Sequence, residues 1–262
     1  MLRKLVKHEL RATSRVMLPT FLVVIVLSIC ANFSVRLFEH ANSAFLNIIA
    51  AIIITAAALS LFAVLIIALV LMVNRFRTNF MGDEGYIMFT LPASVHQLVW
   101  SKIIVSTLWF AATLVVEILA AVSMVFDVNF LGDFWSGLTD LFHQLTSYYA
   151  LNGAAVIAEF LVLLFVSCAA MCLVFYASMA AGYSFDRHKL ALSVVFFFLF
   201  NFLTQVIGSM SLLSLDHVNW TFSSAMAGVH TMMWSSIVAM VLYGAIFYVI
   251  TVVILKRRLN LE

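Results

Sequence analysis

Two carboxylates stand where carboxylates are costly. Glu117 and Glu159 each interrupt a long apolar run, Ile103–Phe126 and Leu151–Phe185. A charge at the centre of a membrane helix costs about 2.5–3.5 kcal/mol even on insertion-based scales. Each carboxyl must therefore face protein, face a cavity, or carry a proton. An interhelical hydrogen bond, the lining of a substrate path and a proton site all satisfy that demand. The similar depth of the two residues leaves a pair or a shared outer chamber open. Other chemistry is sparse. His8, His40, His96, His143, His188, His217 and His230 are scattered, without H-E-x-x-H or paired helical spacing. Ser209 and Ser211 beside Gly208 lack a histidine at mid-depth to activate them. Cys30, Cys168 and Cys172 fall inside apolar runs and imply packing, not a disulfide framework. Ile29 stands where a lipidation signal needs a small residue before Cys30, so no lipid anchor is expected. No G-x-x-x-x-G-K-[ST] loop is present, so ATP hydrolysis by this chain alone is not expected.

The elements that must hold these residues are membrane helices. The chain is 65% hydrophobic and 10% charged, against roughly 25% charged in an average soluble domain. One span needs about 20 apolar residues. Charge-free runs at Val16–Val35, Ala44–Val73, Leu190–Leu215 and Thr231–Leu255 join the two carboxylate-bearing runs. The result is an all-α integral membrane protein with six transmembrane helices. All Lys and Arg except Arg36 cluster before the first span, between spans two and three, between four and five, and at the end. The positive-inside rule then puts both termini in the cytoplasm.

Residues 1–16 read as a basic amphipathic helix: Leu2, Leu5, Val6 and Leu10 recur at helical spacing among Lys4, Lys7, Arg11 and Arg15. Such a helix lies at the membrane surface, apolar side down. It is followed by a six-helix transmembrane domain, residues 17–262. Outside, Phe134, Leu138, Leu141, Phe142 and Leu145 mark a short amphipathic helix within Asp127–Ala150. Trp220, Phe222 and Trp234 read as an aromatic belt or a re-entrant hairpin.

Between spans two and three, Gly82 to Lys102 forms a rigid cytoplasmic insert. Asp83 and Glu84 suit a helix N-terminus. Gly85–Leu91 can form about two turns, and Pro92 disfavours helix at the residue before it. Ser94 with Gln97 three residues on reads as a capping box opening the third span, with Trp100 and Lys102 at the interface. Helix, sharp break and capped restart transmit displacement instead of absorbing it.

The order Asp83-Glu84-Gly85, Leu91-Pro92-x-Ser94 and Lys102 resembles the permease family of type II ATP-binding-cassette (ABC) exporters. The opening MLRKLVKHELRATSR with Pro19 following, and the closing ILKRRLNLE, are similar to clostridial-type members. The motif spans about 20 residues, and the six-span layout extends the likeness to the whole chain. The resemblance implies a coupling helix over residues 82–91, with Asp83, Glu84, Gly85, Tyr86, Met88 and Leu91 meeting a nucleotide-binding subunit. It further implies a connecting helix over residues 1–16 and a second permease copy or paralogue. Tyr86 departs from the small hydroxyl residue often found after the glycine. ATP and Mg would reside in the partner, and this chain would hold no cofactor or metal, bind no nucleic acid and contribute no catalytic residue. The expected function is export of an amphiphilic drug, antimicrobial peptide or lipid across a bacterial cell membrane. Two rivals share the spans: an immunity or sensor protein that does not transport, and a proton- or ion-coupled transporter using Glu117 or Glu159.

Overall fold

The computed structural model describes residues 1–38, 44–82, 84–90, 92–126, 130–148, 153–185, 187–215 and 225–257. These residues form eight helices and no strand: α1 (Leu2–Phe38), α2 (Ala44–Met81), α3 (Glu84–Thr90), α4 (Val95–Val125), α5 (Phe130–Tyr148), α6 (Gly153–Gly182), α7 (Lys189–Leu215) and α8 (Ala225–Arg257). Six of them, all but α3 and α5, are long and apolar enough to cross a membrane. Their outward faces carry side chains such as Leu22, Phe62, Ile66, Phe198, Phe202 and Leu242, each more than half exposed. Contiguous apolar surface on that scale calls for lipid or protein against it. The amphipathic α5 covers the stretch whose periodicity called for it.

The sequence divides near residue 16, but the helix does not. α1 runs unbroken from Leu2 to Phe38 with Pro19 inside it. The physical reason is one buried stripe, Glu9, Thr13, Met17, Phe21, Val24, Ser28 and Ala31, which continues at steps of three and four across the proline. Packing along that stripe outweighs the hydrogen bond that Pro19 cannot donate.

The long helices form two groups. α1, α2 and α4 pack together, as do α6, α7 and α8, and α4 against α6 makes the main join. Met17, Phe21 and Val24 fill the first core against Val64, Ala68, Met72 and Trp109. The seam is tighter and partly polar. Tyr176 stacks on Phe76 with centroids 4.1 Å apart, and its hydroxyl meets Ser106 Oγ at 2.5 Å. Cys172 is buried in the same cluster, as the packing role requires, whereas Cys30 is exposed. At the end away from the N-terminus, Asn32 Nδ2 donates to the carbonyls of Met124 and Phe126 at 2.9 Å. Arg36 donates to the Phe126 carbonyl and to Asn32 Oδ1. The single basic residue outside the charged clusters thus joins Asn32 in satisfying the Phe126 carbonyl that caps α4.

Gly182 fixes the turn into α7. A Cβ there would lie 2.1 Å from Ser193 Oγ and 2.4 Å from the Ser193 nitrogen. Backbone on one side of that contact cannot yield cheaply, so Gly182→Ala is expected to cost about 1–3 kcal/mol. Gly244→Ala meets only ordinary contacts of 3.6 to 3.7 Å and should be tolerated. Thermal unfolding of both variants in detergent checks the contrast.

Candidate functional site

The insert between the second and third spans folds as a helix, a stop and a capped restart. Gly85 N donates to Gly82 O at 2.8 Å, turning the chain out of α2 into the seven-residue α3. Pro92 follows, and Ser94 in extended conformation accepts from the Gln97 backbone at 3.3 Å, starting α4. Glu84 and Tyr86 are exposed, while Gly85 is buried. Met88 packs partly buried against the seam cluster. Asp83 and Leu91 lie outside the described residues. α3 packs on α2; Glu84 and Met88, one turn apart, line a cavity toward α1 and α2, and Tyr86 is exposed on another side of the helix.

Lys102 is not at the interface beside Trp100. Trp100 is exposed, but Lys102 is 3% exposed and its Nζ lies 2.6 Å from Glu9 Oε1 on α1. Asn79 Nδ2 on α2 also donates to that oxygen, at 3.4 Å. One turn along α1, Thr13 Oγ1 donates to the Glu9 carbonyl at 2.8 Å and accepts from Trp109 Nε1 at 2.7 Å. A buried ion pair, with Asn79 donating to the same carboxylate oxygen, thus ties α1, α2 and α4 together. Sequence reasoning missed Glu9, although the signal was there. Leu2, Leu5, Glu9 and Thr13 share one helical face, so the lone acid among the basic residues falls on the apolar stripe. A cavity of about 590 Å³ opens beside the pair, lined by Lys4, His8, Arg75, Asn79, Glu84 and Met88 among others.

A second tie joins the same end of α4 to α8. Lys256 Nζ lies 3.0 Å from His96 Nε2, and His96 Nδ1 lies 2.7 Å from the Tyr248 hydroxyl. Ammonium has no acceptor, so Nε2 accepts, and in the neutral ring Nδ1 donates to Tyr248. The start of α1, the helix α3 and the end of α8 therefore occupy one end of the bundle. Only a few residues separate α3 from α4, and α4 is tied at this end to the α1–α2 cluster and to α8.

The two intramembrane carboxylates are not partners. Glu159 on α6 turns to α8, with both carboxylate oxygens 2.8 Å from His230 Nδ1 and Oε1 3.0 Å from Trp234 Nε1. Trp234 is thus a hydrogen-bond donor within α8 and not only a belt residue, while Trp220 and Phe222 lie outside the described residues. His230 and Trp234 are four residues apart, the spacing that brings both to one carboxylate. Glu117 on α4 is partly buried, and its Oε1 has no hydrogen-bond partner among the described residues. An open groove of about 630 Å³ runs along the α8 face past His230, Trp234 and Val238. Among the described residues, no three His, Cys, Asp or Glu side chains are grouped to hold a metal ion.

The chain is an all-helical polypeptide of the multi-pass membrane class, with six helices fit to span a bilayer. It matches no protein-family model, no curated protein and no solved structure, so the functional reading rests on its own residues and geometry.

Proposed function

We propose that this chain is the permease subunit of an ABC exporter, moving an amphiphilic substrate across a bacterial cell membrane. A separate ATPase subunit, holding ATP and Mg, drives alternating access by pressing on α3. The observation that carries this reading is the mounting of α3. Glu84 and Tyr86 are exposed on different sides of it, α3 packs on α2, and the Pro92–Ser94 break joins it to a helix tied to α1, α2 and α8. Such a lever suits mechanical input from outside the membrane. A second copy or paralogue would complete the pathway, and α7, with 6% of its most apolar window buried inside the chain, offers surface for it.

Gentle-detergent purification from the native membrane, followed by mass spectrometry, tests the proposal. Near-stoichiometric recovery of an ATPase with a phosphate-binding loop is expected. A clean chain without that partner, repeated after cross-linking, would sink the reading.

The hydrogen-bonded Glu159 and His230 favour one alternative, proton-coupled transport. In that case Glu159→Gln and His230→Gln each abolish uptake driven by a pH gradient in vesicles. In the exporter they leave ATP-driven transport running and alter substrate preference at most.

A further inference from the structure

A groove on the face of α2 turned away from the Glu9 cavity has its own chemistry. α2 and α7 make at most marginal contact with each other, and both pack on α6, which floors the gap between them. The gap holds about 380 Å³ and runs from Leu69 and Val70 to Asn74 and Arg77 on α2. Its other wall is the first two turns of α7, Leu190 to Phe197, and Phe197 stacks on Phe175 of the floor at 4.5 Å. Val70, Leu190 and Val194 are each more than half exposed, so the groove opens sideways, toward lipid.

Its polarity is graded. The charge-free run of α2 ends at Val73, and Asn74, Arg75 and Arg77 follow. Arg77 therefore stands at headgroup level, with apolar residues deeper in. No acidic side chain lines the groove. Arg77 makes no ion pair or hydrogen bond among the described residues. From Leu69 to Arg77 the helix rises about 12 Å, close to the roughly 15 Å depth of one leaflet's hydrocarbon. Ser178 and Ser193 add no competing demand, because their hydroxyls donate to carbonyls of their own helices.

We infer that this groove binds one anionic phospholipid, its phosphate on Arg77 and one acyl chain along Val70 and Phe197. Basic pockets between membrane helices recognise such headgroups by charge, and the apolar trough adds acyl contact. The wall formed by α7 is held on α6 by the Gly182–Ser193 contact and α2 belongs to the other group of helices, so an occupying lipid would bridge the two groups at this end. The site is independent of the proposed transport role.

The test is lipid retention by the full chain. The protein is reconstituted in phosphatidylcholine bilayers holding a minority of phosphatidylglycerol, re-extracted, and its retained lipid quantified by mass spectrometry. Phosphatidylglycerol should be enriched over its bulk fraction. Arg77→Ala should cut the enrichment about fivefold, the loss of one headgroup-level charge, and Arg77→Lys should restore most of it. Val70→Trp, which fills the trough without touching the charge, should also reduce retention, and it decides the matter if Arg77→Ala does not stay monodisperse. Arg3→Ala is the control and should change nothing. Equal retention of phosphatidylcholine, or enrichment indifferent to both groove variants, would overturn the inference. So would disulfide cross-linking of Val70→Cys between two copies, which would make the groove a subunit interface.

Discussion

Replacing Lys102 with alanine is expected to destabilise the fold by about 3–5 kcal/mol, and Glu9→Ala by a similar amount. Each removal leaves the other charge buried without its counterion, which is the costly outcome for a buried pair. The side chains are 3% and 8% exposed, so water cannot take the place of the lost partner. The double variant Glu9→Leu with Lys102→Met should recover most of the loss, since it leaves no unpaired charge and only the neutral Asn79 amide without its acceptor. A double-mutant cycle by thermal unfolding in detergent measures the coupling. Single variants costing below about 1 kcal/mol, the range of an exposed pair, would refute the burial argument. The double variant also separates stability from motion. It keeps α1 packed on α4 but removes the polar lock, so any change in ATPase stimulation then reports on the lock itself.

The second large effect concerns α3. Glu84→Lys combined with Gly85→Pro should reduce substrate-stimulated ATPase of the reconstituted complex to its unstimulated rate. Proline has no N–H, so the 2.8 Å bond from Gly85 to Gly82 is lost and the turn that aims α3 must reshape. Gly85 is also buried, leaving the ring little space. Lysine at position 84 replaces the exposed acid in the first turn and puts a cation where the helix dipole disfavours it. The spans keep their sequence, so membrane insertion should stay near wild type, while the thermal midpoint of the isolated chain should fall somewhat, because Gly85 is buried and α3 packs on α2. Full stimulation in a stably inserted variant would rule out α3 as the input.

The helices were legible because each apolar run exceeds what a span needs. The insert was legible because proline and an N-cap serine act locally, whatever the rest of the chain does. What could not be read was which faces meet. Residues 1–16 carry the periodicity of a surface helix, and only packing against α2 and α4 makes them the first turns of a longer one. Lys102 looks interfacial because it stands beside Trp100 where the third span begins, yet its partner is 93 residues away on another helix. Glu159 and His230 are separated by 71 residues, and no local pattern pairs them. Polar residues inside a membrane protein announce that a partner exists, and three-dimensional contact decides who it is.

The division into two groups of helices bears on how the chain is made. Glu9 and Lys102, Thr13 and Trp109, and Asn32 and the end of α4 all lie before residue 127. Glu159 and His230 both come after it. Each of these two ion pairs therefore closes within its own half, and the ribosome has delivered both members of the Glu9–Lys102 pair before α6 emerges. A nascent chain paused between the halves already has the Glu9–Lys102 pair closed, and two separately translated fragments cut there would each carry their own ion pair and join along the Phe76–Tyr176 seam.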